Sequence, residues 1–149
     1  MQTIKIILLK TDVMDRVAET TAYTGNKTET SDKAAFFERV ATVTGDASIL
    51  DRYWQDSCAA LADSLRSFVR EATFGKETFT MTLEVSNSYD LTLTPAAESG
   101  VLAIIAASIT SRWFRITMPQ RAEEWLKEAR FQFSALLANL YHRKKPLRK

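Results

Sequence analysis

The chain has 149 residues, 46% of them hydrophobic and 26% charged, with 20 Lys+Arg against 18 Asp+Glu. That is one domain's worth of sequence with globular composition, which excludes collagen-like, wholly disordered and disulfide-scaffold classes. Single copies of cysteine (Cys58) and histidine (His142) exclude an intrachain disulfide, a cysteine-based metal site and a multi-histidine metal centre.

Residues 3–9 have strand-like composition, and their apolar run Ile6-Ile7-Leu8-Leu9 is too short for a secretory core segment. Thr11 caps a short predicted helix to about Tyr23, where Thr24-Gly25-Asn26 supplies a stop. A polar loop, Asn26 to Ser31, leads to a second short helix over about Asp32 to Val43, with Ala35, Phe36, Arg39, Val40 and Val43 on one face. A third helix is expected from about Ala47 to Ala72. Ser48 and Asp51 form its capping box, and Leu50, Trp54, Ser57, Leu61, Leu65, Phe68 and Ala72 its inward stripe.

The period then changes from 3.6 to 2. Phe79, Met81, Leu83 and Val85 alternate with polar neighbours. After Ser86-Asn87-Ser88 the alternation resumes at Tyr89, Leu91 and Leu93. This pattern predicts a β-hairpin over about 77–94, with residues 3–9 as a candidate third strand. Thr94-Pro95 opens a helix that is apolar on nearly all sides from Val101 to Ile116, as a central bundle helix should be. Its most apolar run, Val101 to Ala107, falls far short of the roughly 20 residues of a membrane span. Thr117 to Gln120 reads as a capping box for a last helix from about Pro119, with Ala122, Leu126, Ala129, Phe133, Leu136 and Leu140 as its stripe.

These elements make an α+β, mostly α fold. Two short and three longer helices surround a central apolar helix, with one hairpin alongside. Residues 1–142 read as a single helical domain and 143–149 as a basic tail, in a soluble, cytoplasmic protein suited to a reducing compartment.

The candidate chemical groups mostly have structural explanations. Asp12, Asp15 and Glu19 share a helical face, as do acids at many helix starts, where the positive helix end favours them. Glu123 and Glu124 read in the same way. Cys58 has Asp56 and Asp63 nearby in sequence and lacks the cationic setting that activates a thiol. Trp54, Trp113 and Trp125 fall on helices and suit core packing better than base stacking. Gly45 has no P-loop spacing around it. The stripe of the last helix also fits a coiled-coil seam, so self-association stays open.

The tail is the most function-like segment. Arg143, Lys144, Lys145, Arg148 and Lys149 give it +5 of a chain total of +2, so the preceding 142 residues are net acidic. Such a tail suits contact with nucleic-acid phosphates or another partner, although cations also favour a helix C-terminus. The segment Arg112-Trp113-Phe114-Arg115-Ile116-Thr117, an acidic-start helix and an aromatic followed by Arg-Lys-Lys-Pro-Leu-Arg together resemble a group of uncharacterised prophage proteins. These are small proteins found among the virion-assembly genes of gut bacteria, and the resemblance spans about residues 78–149. It implies a non-enzymatic, head–tail connector or head-completion-like protein that associates with itself and with other virion proteins. It carries over no catalytic, metal or cofactor residues. The alternative reading is a small nucleic-acid-binding module that uses the tail, with Arg112, Arg115, Arg121 and Arg130 in support. A carboxylate-metal enzyme ranks third.

Overall fold

The computed structural model describes residues 1–27 and 46–147, and of residues 23–27 the backbone only. The element order is β1 (Gln2–Leu9), α1 (Lys10–Lys27), α2 (Ala47–Ser64), β2 (Val69–Phe74), β3 (Thr78–Val85), a 3₁₀ turn (Leu91–Leu93), α3 (Thr94–Thr117) and α4 (Pro119–Tyr141). The fold is α+β and mostly α, with four helices among the described residues and one antiparallel sheet ordered β1-β3-β2. The second short helix, predicted over Asp32 to Val43, lies outside the described residues. So does most of the Asn26–Ser31 loop, whose first two residues extend α1.

The predicted N-terminal strand forms and pairs with β3 along its whole length, from Gln2 opposite Val85 to Leu9 opposite Thr78. The period-2 pattern sends one set of side chains inward. Ile4, Ile6 and Leu8 lie opposite Leu83, Met81 and Phe79, and all six are buried. Full burial of such side chains contributes about 1.5–3 kcal/mol each, so this shared face anchors the sheet to the helices. The outward face carries Lys5, Thr80 and Thr82 together with the exposed Ile7 and Leu9.

The hairpin is present, but its second strand is not the predicted one. β3 pairs with β2, which precedes it, through the turn at Gly75 to Glu77. Gly75 suits the close approach there. Its N–H donates to the Thr78 carbonyl at 2.8 Å, and a Cβ at this position would stand 3.0 Å from that same oxygen. Residues 89–94 instead form a turn and a 3₁₀ segment. Tyr89 is buried while Leu91 is exposed, so their alternation does not describe one strand face. Asp90 decides the matter locally, because its carboxylate accepts from both the backbone N–H and the hydroxyl of Thr92.

The same rearrangement shortens the third predicted helix. α2 ends at Ser64, and Phe68 N–H and Val69 N–H both donate to the Leu65 carbonyl as the chain turns into β2. Leu65 remains buried, so the helical stripe reads correctly only that far. Neither predicted capping box forms. The α2 start at Asp46 and the α4 start at Met118 have no side-chain cap bond, and Asp51 pairs with Lys10 across the fold.

α3 is the central helix. Val101, Ile105, Ile109 and Phe114 are fully buried, and α1, α2, α4 and β1 all pack on it. The whole helix with its preceding turn is long and apolar enough to cross a bilayer, a length the run at Val101–Ala107 alone does not reveal. Within the fold 39% of that apolar window is buried, where α1, α2, α4 and β1 pack on it. α4 packs antiparallel on α3 with Ala122, Ala129, Leu136 and Leu140 buried and Leu126 and Phe133 half-buried. The buried Ser111 hydroxyl donates to the Ala122 carbonyl at 2.9 Å and ties the two helices near their connection.

Candidate functional site

The predicted site residues begin where α4 ends. His142 takes an extended backbone conformation, φ −64° and ψ 138°, and the chain runs on without helix to Leu147. Arg143, Lys144 and Lys145 are exposed, while Arg148 and Lys149 lie outside the described residues. The first part of the tail is held down. Lys144 N–H donates to the Ser88 carbonyl at 2.7 Å, which ties it to the turn after β3.

That turn is itself fixed by long-range bonds. The Gln2 side-chain amide donates to the carbonyls of Ser86 (3.0 Å) and Tyr89 (2.9 Å), and the Tyr89 hydroxyl donates to Asn139 Oδ1 at 2.8 Å. Asn139 Nδ2 in turn donates to the Leu93 carbonyl at 3.2 Å. The start of β1, the turn and the end of α4 therefore form one polar junction beneath the tail. Asp90 sits at its rim. The Thr92 hydroxyl and N–H hold its carboxyl below the usual range, and Lys144 and His142 act in the same direction.

The structure also adds residues that sequence order hides. Phe68 and Tyr141 meet edge to face with ring centroids 5.0 Å apart, so the α2–β2 corner stands against the end of α4. This brings Arg66 and Arg70 to the same end of the molecule as the tail. Arg70 is the extra residue of a bulge between Val69 and Glu71, a place where a strand re-aims a side chain. No sequence signal marked this corner, because its residues sat in a segment read as helix.

Other candidates resolve as packing. Trp54 and Trp113 are buried and Trp125 is half-buried. Cys58 is buried, and desolvation pushes its thiol up to about 12. Asp12, Asp15 and Glu19 are exposed on α1, and no group of three or more His, Cys, Asp or Glu able to hold a metal occurs among the described residues. Of the supporting arginines, Arg112 lies 3.6 Å from Asp56 and Arg121 lies 3.3 Å from Glu124. Arg115 and Arg130 are exposed.

Several grooves mark the surface of the described residues. One of about 450 Å³ lies between α2 and the β2–β3 turn, lined by Trp54, Asp56, Phe74 and Lys76. A second, of about 410 Å³, runs between α2, α3 and α4 over Ala60, Ser108, Ala129 and Phe133. Ser57 also lines it, and its buried hydroxyl has no hydrogen-bond partner among the described residues. A third, of about 340 Å³, follows the outer edge of β1 where it passes the start of α3. No protein-family model, no curated protein and no solved structure matches the chain.

Proposed function

We propose that the chain is a non-enzymatic assembly protein of the phage or prophage type, head–tail connector-like, acting through contacts with copies of itself and with other virion proteins. The observation that supports this reading is the open outer edge of β1. It is an eight-residue strand with no neighbour on that side among the described residues. The bulky apolar side chains Ile7 and Leu9 stand 47% and 45% exposed along it. A long edge of this kind, without proline and flanked by apolar groups, is a template for another chain. Other exposed apolar groups, among them Phe131 on α4 and Ile116 at the end of α3, extend the contact surface to other faces.

Size-exclusion chromatography with light scattering tests the reading, with and without the products of neighbouring genes. An assembly protein forms a defined oligomer or complex. A chain that stays monomeric at high concentration and binds none of these partners overturns it.

A second reading is favoured by the Phe68–Tyr141 contact. Arg66 and Arg70 join Arg143, Lys144 and Lys145 at one end of the molecule, a distribution suited to nucleic-acid phosphates. Nucleic-acid affinity that falls steeply with salt, and is lost on deleting residues 143–149, would support this alternative. Unchanged affinity after the deletion would dispose of it.

A further inference from the structure

We propose that the open edge of β1 is the docking site for the C-terminal segment of a second copy of this chain, with Lys145–Leu147 laid along it as a short added strand. The inference rests on the self-association reading above and gives it a specific contact.

The receiving side is a groove lined by both apolar and acidic residues. Ile7, Leu9, Pro95 and Leu102 supply the apolar surface, and Asp12 and Glu98 stand beside them. Both acids are exposed, and neither has an ion-pair partner among the described residues. The groove therefore selects an extended segment that offers a peptide backbone, one apolar side chain and positive charge.

The tail has these three properties. From His142 to Leu147 it is non-helical, and the Lys144–Ser88 bond fixes where it leaves the body. Leu147 is 95% exposed, the most exposed of the chain's large apolar side chains among the described residues. Pro146 has no N–H, so in an added strand its nitrogen must face away from β1. That leaves Lys145 and Leu147 to present their N–H groups to the edge. In a strand, residues two apart share a face, which places the Lys145 ammonium beside the Leu147 side chain. A cation next to an apolar group matches an acid next to Ile7 and Leu9.

The tail and the groove are different surfaces, so the contact is head-to-tail. Repetition closes a ring if the rotation between copies allows it and otherwise builds a stack. Both charge complementarity and the backbone ladder hold it, so raising salt should weaken the charged part first.

The test measures the mass of the full chain and of two variants by light scattering, with circular dichroism to check folding. One variant reverses the groove (Asp12→Lys with Glu98→Lys) and the other reverses the tail (Lys144→Glu with Lys145→Glu). The expected result is that each variant alone falls to monomer, while a mixture of the two regains assembly with the variants alternating, because each then offers the other both a matching tail and a matching groove. A third variant, Leu147→Asp, should weaken association at least tenfold without altering the body of the fold. If all variants keep the parent's oligomeric mass, the tail–groove contact is wrong while self-association stands. If the parent chain is itself monomeric, both fall. If the reversed variants become monomers but do not pair when mixed, the proposed charge matching is overturned.

Discussion

Tyr89 and Asn139, 50 residues apart in sequence, share a 2.8 Å hydrogen bond in which the buried tyrosine hydroxyl donates to the amide oxygen. The pair links the turn after β3 to the last helical turns of α4, and Asn139 passes the connection on to the Leu93 carbonyl. Replacing Tyr89 by Phe keeps the ring in the core but leaves the Asn139 oxygen without its donor. An unsatisfied group of this kind costs about 1–3 kcal/mol, so Tyr89→Phe should lower the urea midpoint accordingly with little change in slope. Tyr89→Phe combined with Asn139→Leu should cost less than the sum of the two single changes, because the orphaned oxygen is then gone.

Two glycines should respond to alanine with opposite signs. At Gly75 the added methyl would meet the Thr78 carbonyl oxygen at 3.0 Å, inside the turn that joins β2 to β3. At Gly100, in the middle of α3, it would find only the Leu136 side chain at 3.8 Å, an ordinary contact. Gly75→Ala should therefore destabilise by about 1–3 kcal/mol, as overpacking does. Gly100→Ala should stabilise by roughly 0.5–1 kcal/mol through helix propensity. Thermal melts of the two variants check the contrast.

The last helix was legible because its apolar period is long and unbroken, the central helix because it is apolar on nearly all sides, and the N-terminal strand through its composition alone. β2 was not. Leu65, Phe68 and Ala72 continue the helical spacing of α2 by chance, while the β character of Val69, Thr73 and Phe74 is weak against it. Tyr89, Leu91 and Leu93 made the opposite error, since they alternate like a strand but are separated by the Asp90–Thr92 turn bonds. The basic tail was legible as charge. Its attachment through Lys144 and Ser88, and its approach to Arg66 and Arg70, depend on contacts between residues more than fifty positions apart. No local pattern encodes those.

The tether itself can be cut without altering charge elsewhere. Lys144→Pro removes the N–H that reaches the Ser88 carbonyl, whereas Lys144→Gln removes the ammonium and keeps that bond. If the tether positions the tail, the proline variant should show rapid amide motion at residues 143, 145 and 147 by NMR relaxation. The glutamine variant should stay as ordered as the parent. The loss in global stability should be small for both, about 0.5–1.5 kcal/mol for the proline change, the worth of one hydrogen bond. Equal ordering in both variants would show that side chains, rather than the backbone bond, hold the tail.

Alkaline pH should loosen the core through Cys58. Burial raises its thiol from an ordinary 9.0 to about 12 in the folded chain, and burial also raises the Tyr89 hydroxyl. For a group shifted upward, the unfolded state loses its proton first as pH rises. The contribution to stability is therefore complete below about pH 9 and is lost progressively from there to about pH 12. One such group can reduce stability by at most about 1.4 kcal/mol per pH unit over that window. Cys58→Ala removes the thiol, so the difference between parent and variant urea midpoints should be constant from pH 7 to 9 and shrink between pH 9 and 11. In the same parent protein at pH 8, a thiol reagent should label Cys58 only at the rate of unfolding, because the folded chain keeps it buried and protonated. Rapid labelling of the folded chain, or a midpoint difference that does not change with pH, would contradict the burial assigned to this side chain.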